Sequence, residues 1–365
     1  MTSHIQITFP DLKSHLSQGQ GQGHTQDNVD VSKGLQLVDI RRQTAPTSLV
    51  PLILAGLRSK ERELPGLLLW NDRGLSLFDA VLESPDYYLT RREWSLLCAA
   101  VHEIVSTIQS GDRLIELGAG NMKKTALILR ALQSQRKSIT YIACDVDCVA
   151  LRRGIRYLQS LFPPTSSGGI RIQGLVATYE DCASWLQHSP SPNGNGSRTT
   201  LMWLGNSMAN YTTSDAASYI RAFLSTGASL IVAVDGSKDK SEIARAYEGP
   251  ANQKFVMNGL AHANELLGAQ VFDARDWGFR GSWNQNTWMH ESFYVAERDL
   301  VVTVRGEIFE FRKGDRVRSI RSGKWPRSKM VSVCEEAGGV VVDCWVDENE
   351  SYGFYVIEER LRRCL

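Results

Sequence analysis

The stretch Glu116-Leu117-Gly118-Ala119-Gly120-Asn121 constrains this chain more than any other. It closes a short apolar run, Asp112 to Leu117, and leads into a helical pattern from Lys123 to Leu132. Glycines at a strand end let the backbone turn sharply and let a ligand approach closely. Asp145 closes the next apolar run, Ser138 to Asp145. A carboxylate in that place accepts hydrogen bonds from both ribose hydroxyls of an adenosine group. Strand, glycine loop, helix, strand and aspartate together read as an adenosine site. A glycine turn with a purely structural role is the competing reading, and the placement of Asp145 weighs against it.

The rest of the pattern sets the fold class. Apolar runs at Ile170 to Leu175, Thr200 to Leu204 and Ser229 to Asp235 alternate with helical segments, Cys148 to Leu161 among them. That alternation predicts an α/β fold with a parallel, doubly wound sheet. Val340 to Val346 and Tyr352 to Ile357 flank the turn Asp347-Glu348-Asn349-Glu350 and read as an antiparallel C-terminal hairpin. Ahead of the glycine loop, Trp94, Leu97, Cys98, Val101, Ile104, Val105 and Ile108 recur at helical steps. The run Gln18 to Gly23 reads as a flexible tail, and Pro163 to Gly169 and Ser189 to Thr199 as loops. A chain of 365 residues suits one large α/β domain plus a smaller one.

Charge and cysteine usage narrow the partners. Lys and Arg number 41 against 40 Asp and Glu, which gives no general attraction to nucleic acid or anionic lipid. The basic run from Arg312 to Arg327, with Lys313, Arg316, Arg318, Arg321 and Lys324, reads as a solvated hairpin face. No apolar stretch reaches the ~18 residues of a membrane span. The start, Met1 to Pro10, lacks the pattern of a secretory signal, so a cytoplasmic protein is expected. Seven scattered cysteines without a C-x-x-C pair read as reduced thiols. His102-Glu103 has Ser106 where a zinc-binding H-E-x-x-H helix needs its second histidine, and no metal is expected. A dinucleotide fingerprint fails at Lys123, where G-x-G-x-x-G needs its third glycine, and no phosphate-cradling P-loop occurs.

The form E-L-G-x-G instead resembles the first motif of S-adenosylmethionine-dependent methyltransferases, whose cofactor presents a methionyl group where a dinucleotide presents phosphate. Further segments narrow the match. Leu64-Pro65-Gly66-Leu67-Leu68-Leu69-Trp70-Asn71-Asp72-Arg73-Gly74, Pro85-Asp86-Tyr87-Tyr88-Leu89-Thr90-Arg91-Arg92-Glu93 and Leu204-Gly205-Asn206-Ser207-Met208-Ala209-Asn210-Tyr211 resemble the histidine-specific methyltransferase family. One branch of that family comprises the dimethylallyltryptophan N-methyltransferases of ergot-alkaloid pathways. The resemblance runs from about Val38 to the C-terminus.

The resemblance implies a Rossmann-like sheet from 93–237 and 325–365, and a smaller α+β substrate domain from 38–92 and 238–324, after a tail at 1–37. It implies S-adenosyl-L-methionine as cofactor, held by Tyr87, Gly118, Lys124, Asp145, Thr178 and Tyr179. Tyr87, Asn210 and Tyr247 would be the catalytic set, with Asn210 and Tyr247 holding the backbone end of an amino-acid substrate. Trp70, Phe78, Gly205, Ser292, Ile320 and Ser322 would complete the substrate site. The protein would be a monomer or homodimer with a small-molecule partner.

One departure bears on the substrate. The histidine methyltransferases grip the imidazole with a Glu and a Ser; here the Ser is Ser322, and the Glu position is Ile320. An imidazole N–H facing Ile320 would lose its partner, at about 1–3 kcal/mol. An aromatic amino acid is therefore the expected substrate, with dimethylallyltryptophan foremost. Histidine, another amino acid methylated to its betaine, and an inactive relative serving as an interaction protein are the alternatives.

Overall fold

The computed structural model describes residues 28–30, 36–41, 49–163, 169–189 and 197–360. The Gln18 to Gly23 run and most of both Ser/Pro/Gly-rich loops lie outside them. In chain order the elements begin with β1 (Asn28–Asp30), β2 (Leu37–Asp39), α1 (Leu49–Arg58), α2 (Asp72–Glu83) and α3 (Tyr88–Ile104). The repeating core follows as β3 (Arg113–Leu117), α4 (Lys123–Ser134), β4 (Ile139–Asp145), α5 (Cys148–Leu161), β5 (Ile170–Val176) and α6 (Tyr179–His188). It continues with β6 (Thr199–Trp203), α7 (Thr213–Leu224) and β7 (Ser229–Asp235). Then come α8 (Lys240–Glu248), α9 (Pro250–Leu267), β8 (Trp277–Asn284), β9 (Met289–Ala296), β10 (Leu300–Val304) and β11 (Glu307–Phe311). β12 (Arg316–Gly323), α10 (Arg327–Glu336), β13 (Gly339–Val346) and β14 (Tyr352–Glu359) end the chain.

Among the described residues, nine strands form the main sheet in the order β1-β2-β5-β4-β3-β6-β7-β14-β13. The strands from β2 to β7 are parallel; β14 joins β7 antiparallel and β13 closes the hairpin. This is the α/β Rossmann-like methyltransferase sheet with its antiparallel C-terminal strands. Parallel strands covered on both faces bury nearly every residue, and β3 is buried from Arg113 to Leu117. Their alternate residues feed two apolar layers. Leu114, Tyr141, Met202 and Ile231 face one, while Ile115, Ile142, Leu201 and Leu230 face the other.

Three expectations need correcting. Residues 28–30 and 37, expected in the tail, form strands of the main sheet, and so do residues 38–39, expected in the substrate domain; Leu37 pairs in parallel with Gly174 of β5 and is buried. The apolar stripe of α3 is narrower than its spacing implies: Leu97, Val101 and Ile104 are buried, but Trp94 and Cys98 are exposed. The basic run is not a uniform solvated face. Lys324 is fully buried, and Arg318 binds Glu63 at 2.7 Å and Glu291 at 3.2 Å.

The second region packs α1, α2 and α9 beside an antiparallel sheet of order β12-β9-β8, with the separate hairpin β10-β11. Among the described residues no helix is long and apolar enough to cross a membrane.

Candidate active site

The first half of the site lies where β3 and β4 end. Gly118 and Gly120 have φ of +68° and +54°, in the left-handed region that favours glycine. Gly118 and Ala119 donate their backbone N–H groups to the Cys144 carbonyl at 2.9 and 3.3 Å, which folds the loop back over β4. A Cβ on Gly118 would stand 3.2 Å from the Tyr179 hydroxyl, so the space between them exists only because residue 118 has no side chain. Asp145 sits beside that space, half-buried, with Gly120 N at 3.5 Å from Oδ2. Burial pushes its carboxyl pKa up, and backbone N–H groups oppose the shift. An open glycine cradle flanked by one carboxylate fits a ribose with two hydroxyls to donate.

Glu116 stiffens the loop from beneath. Its buried carboxylate accepts from Thr125 Oγ1 and from the Tyr141 hydroxyl, both at 2.6 Å. Tyr179 turns its ring to Trp203 at 4.8 Å, in a cluster with Tyr211 and Tyr219. Thr178 is occupied differently: it is the N-cap of α6, reciprocally bonded to Asp181 in a capping box.

Lys124 does not stand free in the crevice. Its Nζ bonds Glu93 Oε2 at 2.8 Å, and Glu93 Oε1 accepts from Gly205 N at 2.8 Å. One buried carboxylate on α3 thus ties α4 to the loop after β6. Glu93 was not among the expected site residues, although it closes the quoted Tyr87-to-Glu93 segment.

The second half is an aromatic lane. Trp70 meets Phe78 at 5.0 Å and Phe255 at 5.1 Å, Phe78 meets Tyr87 at 6.4 Å, and Tyr87 meets Tyr247 at 5.7 Å. Tyr247 then stacks on His290 at 4.8 Å. Most of these are edge-on contacts, the geometry ring quadrupoles prefer. Behind Tyr247 the antiparallel sheet sets the register: Ser292 stands opposite Ile320, and His290 opposite Ser322. Beyond a bulge between Arg318 and Ile320 the register is regular, and Ile320 and Ser322, two residues apart, share one face. Ser322 Oγ lies 2.9 Å from the Tyr247 hydroxyl, so that face looks toward the tyrosine. Burial and the Lys324 charge push the His290 pKa down to about 3, so its imidazole is neutral at neutral pH.

Asn210 ends the turn Ser207–Asn210 and is half-buried. Its neighbour Asn206 is the more deeply engaged: φ +60°, Oδ1 accepting from Asp235 N at 2.9 Å, Nδ2 donating to Gly323 O at 3.2 Å. Trp325, next to Lys324, belongs to the opposite apolar layer with Met330 and Val333. Sequence reasoning also passed over Asp235 and Lys324, which form a buried ion pair at 3.0 Å.

A glycine cradle, an aspartate at the next strand tip and the antiparallel strand β14 set between β7 and β13 define an S-adenosylmethionine-dependent methyltransferase. The comparisons agree. The family model described as "Histidine-specific methyltransferase, SAM-dependent" matches residues 49–359, and the chain belongs to that family. N-methyltransferase fsqC of Aspergillus fumigatus is 63% identical over 320 residues, covering 88% of this chain and 86% of that protein. N-methyltransferase imqF of Aspergillus flavus is 48% identical, covering 87% of each. The 4-dimethylallyltryptophan N-methyltransferase easF of Aspergillus fumigatus is 27% identical, covering 89% of this chain and 98% of that protein. The chain is therefore an S-adenosyl-L-methionine-dependent N-methyltransferase with a small-molecule acceptor.

Proposed function

We propose that the enzyme methylates the α-amine of an aromatic amino acid. The observation that carries this reading is the aromatic lane from Trp70 to Tyr247, which abuts the face bearing Ile320 where the family's imidazole-binding carboxylate would stand. A planar hydrocarbon side chain would lie along the lane, and Ile320 would offer it apolar surface without stranding a donor. Asn210 and Tyr247 would hold the backbone end, while Gly118, Asp145 and Tyr179 would hold the cofactor.

The cofactor, when bound, supplies an electrophilic methyl group on a sulfonium. The protein has to present a neutral amine in line with it. Even peptide α-amines have a pKa of about 8, and the carboxylate of a free amino acid raises it further, so most of the substrate is protonated near neutrality and only a small fraction carries the neutral amine. Positioning that fraction and excluding water would be the task of Tyr87, Asn210 and Tyr247. No nucleophile from the protein is required.

Dimethylallyltryptophan is the finer form of the proposal. Similarity gives it less weight than the class: the relative that bears that substrate's name is 27% identical, against 63% and 48% for the two N-methyltransferases above. The test is incubation with S-adenosylmethionine and a panel of tryptophan, dimethylallyltryptophan, tyrosine, phenylalanine and histidine, read by mass spectrometry. Methyl addition to an aromatic member and not to histidine supports the proposal. Addition to histidine alone overturns it.

A further inference from the structure

The ion pair between Lys324 and Asp235 is fully buried, at 0% exposure of both side chains, at the rim of the substrate site. Its hydrogen bonds can be counted completely. Lys324 Nζ has three donors and three acceptors in reach: Asp235 Oδ2 at 3.0 Å, the Tyr247 hydroxyl at 2.8 Å and Ser322 Oγ at 3.1 Å. Asp235 accepts from Lys324, from the Tyr88 hydroxyl at 2.6 Å and from Ser237 N at 2.9 Å. Ser322 Oγ accepts from Lys324 and, at 3.4 Å, from Asn206 Nδ2. Both its lone pairs are then engaged, and its own proton goes to the Tyr247 oxygen at 2.9 Å. Tyr247 receives two donors, from Lys324 and Ser322, and its proton is left to point away from both.

That proton has the Tyr87 side and the pocket before it. Tyr87 and Tyr247 pack edge-on with ring centroids 5.7 Å apart. If Tyr247 donates to Tyr87, the Tyr87 proton is displaced outward in turn. Either way a donor, not an acceptor, faces the substrate. The ring cannot swing to change this, because His290 stacks on it at 4.8 Å and Lys324 Nζ lies 4.4 Å from its centroid.

We infer that Lys324, held by Asp235 and Tyr88, is a positioning residue that keeps the Tyr247–Tyr87 hydroxyls as outward donors and thereby selects substrates bearing a carboxylate. This rests on the reading of Tyr247 as the holder of the substrate's backbone end. Lys324 itself never touches the substrate. A hydrogen bond to a charged acceptor is worth about ten- to a hundredfold in affinity, and that is the selectivity at stake.

The test removes both charges together with Lys324→Met/Asp235→Asn, which leaves no unpaired buried ion. Ser322→Ala is the second variant, for the event that the first does not melt cooperatively. Two readouts are taken. The first compares kcat/KM for an aromatic amino acid that the wild type methylates with that for its decarboxylated amine. The double variant should lose about thirtyfold on the acid and less than threefold on the amine, and Ser322→Ala, which also alters the substrate site, should lose at least about threefold more on the acid than on the amine. Equal losses on both, or none, overturn the inference. The second readout is fluorine NMR of protein labelled with 3-fluorotyrosine, the Tyr247 signal assigned with Tyr247→Phe. It should move in both variants without substrate, and a fixed signal refutes the positioning role. If the wild type methylates no aromatic acid, the substrate proposal falls, while the NMR result still decides the role of Lys324.

Discussion

Replacing Ile320 with Glu is the sharpest probe of the substrate site. The structure places residue 320 opposite Ser292 and on the same strand face as Ser322, half-buried, with Tyr247 beyond. A carboxylate there would accept the N–H of an imidazole, a charge-assisted bond worth about 1.5–3 kcal/mol. The same change removes a branched apolar wall from an aromatic side chain, at about 1–3 kcal/mol. The two effects act in opposite directions on the two substrates. Their sum shifts the ratio of histidine to aromatic turnover by at least about a hundredfold, at ~1.4 kcal/mol per decade. The site is half-exposed, so the cost of the new charge to folding is modest, about 1–2 kcal/mol. The assay is kcat/KM for L-histidine and for the best aromatic acid of the panel. Melting and S-adenosylhomocysteine binding serve as checks on the fold. A variant that melts cooperatively, binds that product and keeps the wild-type ratio within about threefold would refute the placement of Ile320 in the pocket.

Other outcomes follow from the same geometry. Asp145→Ala should weaken S-adenosylhomocysteine binding by about a hundredfold in calorimetry, since two hydrogen bonds to a carboxylate are lost. In the wild type only the ionised form offers both oxygens as acceptors to the two ribose hydroxyls, and burial raises the Asp145 pKa, so affinity should fall on acidification from a pH above the usual carboxylate range. Glu116 is fully buried with its pKa raised chiefly by desolvation. A raised carboxyl pKa means the fold favours the protonated form: that stability is present below the unfolded pKa and is lost as pH rises through the folded one. Glu116→Gln should therefore gain in melting temperature relative to wild type as pH goes from acid to neutral, and a gap that narrows instead would show that the bonds from Thr125 and Tyr141 outweigh burial. Trp70→Ala removes the edge contacts to Phe78 and Phe255; KM for the aromatic acid should rise about tenfold with little change in cofactor affinity, and an unchanged KM would place the substrate elsewhere.

The parts of the molecule legible in the sequence are those set by local pattern. Buried parallel strands write continuous apolar runs, and helix α5 and strand β7 fall at the residues their periodicity predicts, Cys148–Leu161 and Ser229–Asp235. The placement of Gly118 and Asp145 at neighbouring strand ends was legible because a strand end, a turn and a carboxylate lie close in the chain. β1 and β2 were not, since three residues are too few to show a period and their pairing partner β5 lies far along the chain. Lys324 was hidden for a different reason. The seven basic residues from Arg312 to Arg327 look alike in sequence, and only the return of the chain past the tip of β7 buries one of them against Asp235. One signal was available: Asp235, like Asp145, is an acidic residue closing an apolar strand, and a carboxylate in that place requires a partner or a ligand.

Those carboxylates explain how the two halves of the site are held in one geometry. Helix α3 contacts both through its first turns. Tyr88 donates to Asp235 at the tip of β7, and Glu93, about one and a half turns later, binds Lys124 of α4 and Gly205 after β6. Tyr87, immediately before the helix, carries the aromatic lane to Tyr247. A tilt of α3 would break the bonds at Asp235 and Glu93 together and leave buried charge unpaired at both, at several kcal/mol. The helix therefore has one well-defined seat, and the glycine cradle and the aromatic lane keep a common frame although they are built from distant parts of the chain. In-line methyl transfer tolerates little error in that frame, because a misplacement of about 1 Å can cost a hundredfold in rate. This accounts for the presence of buried ion pairs that hydrophobic contacts could replace without loss of stability: their directional bonds specify an orientation, which apolar packing alone does not.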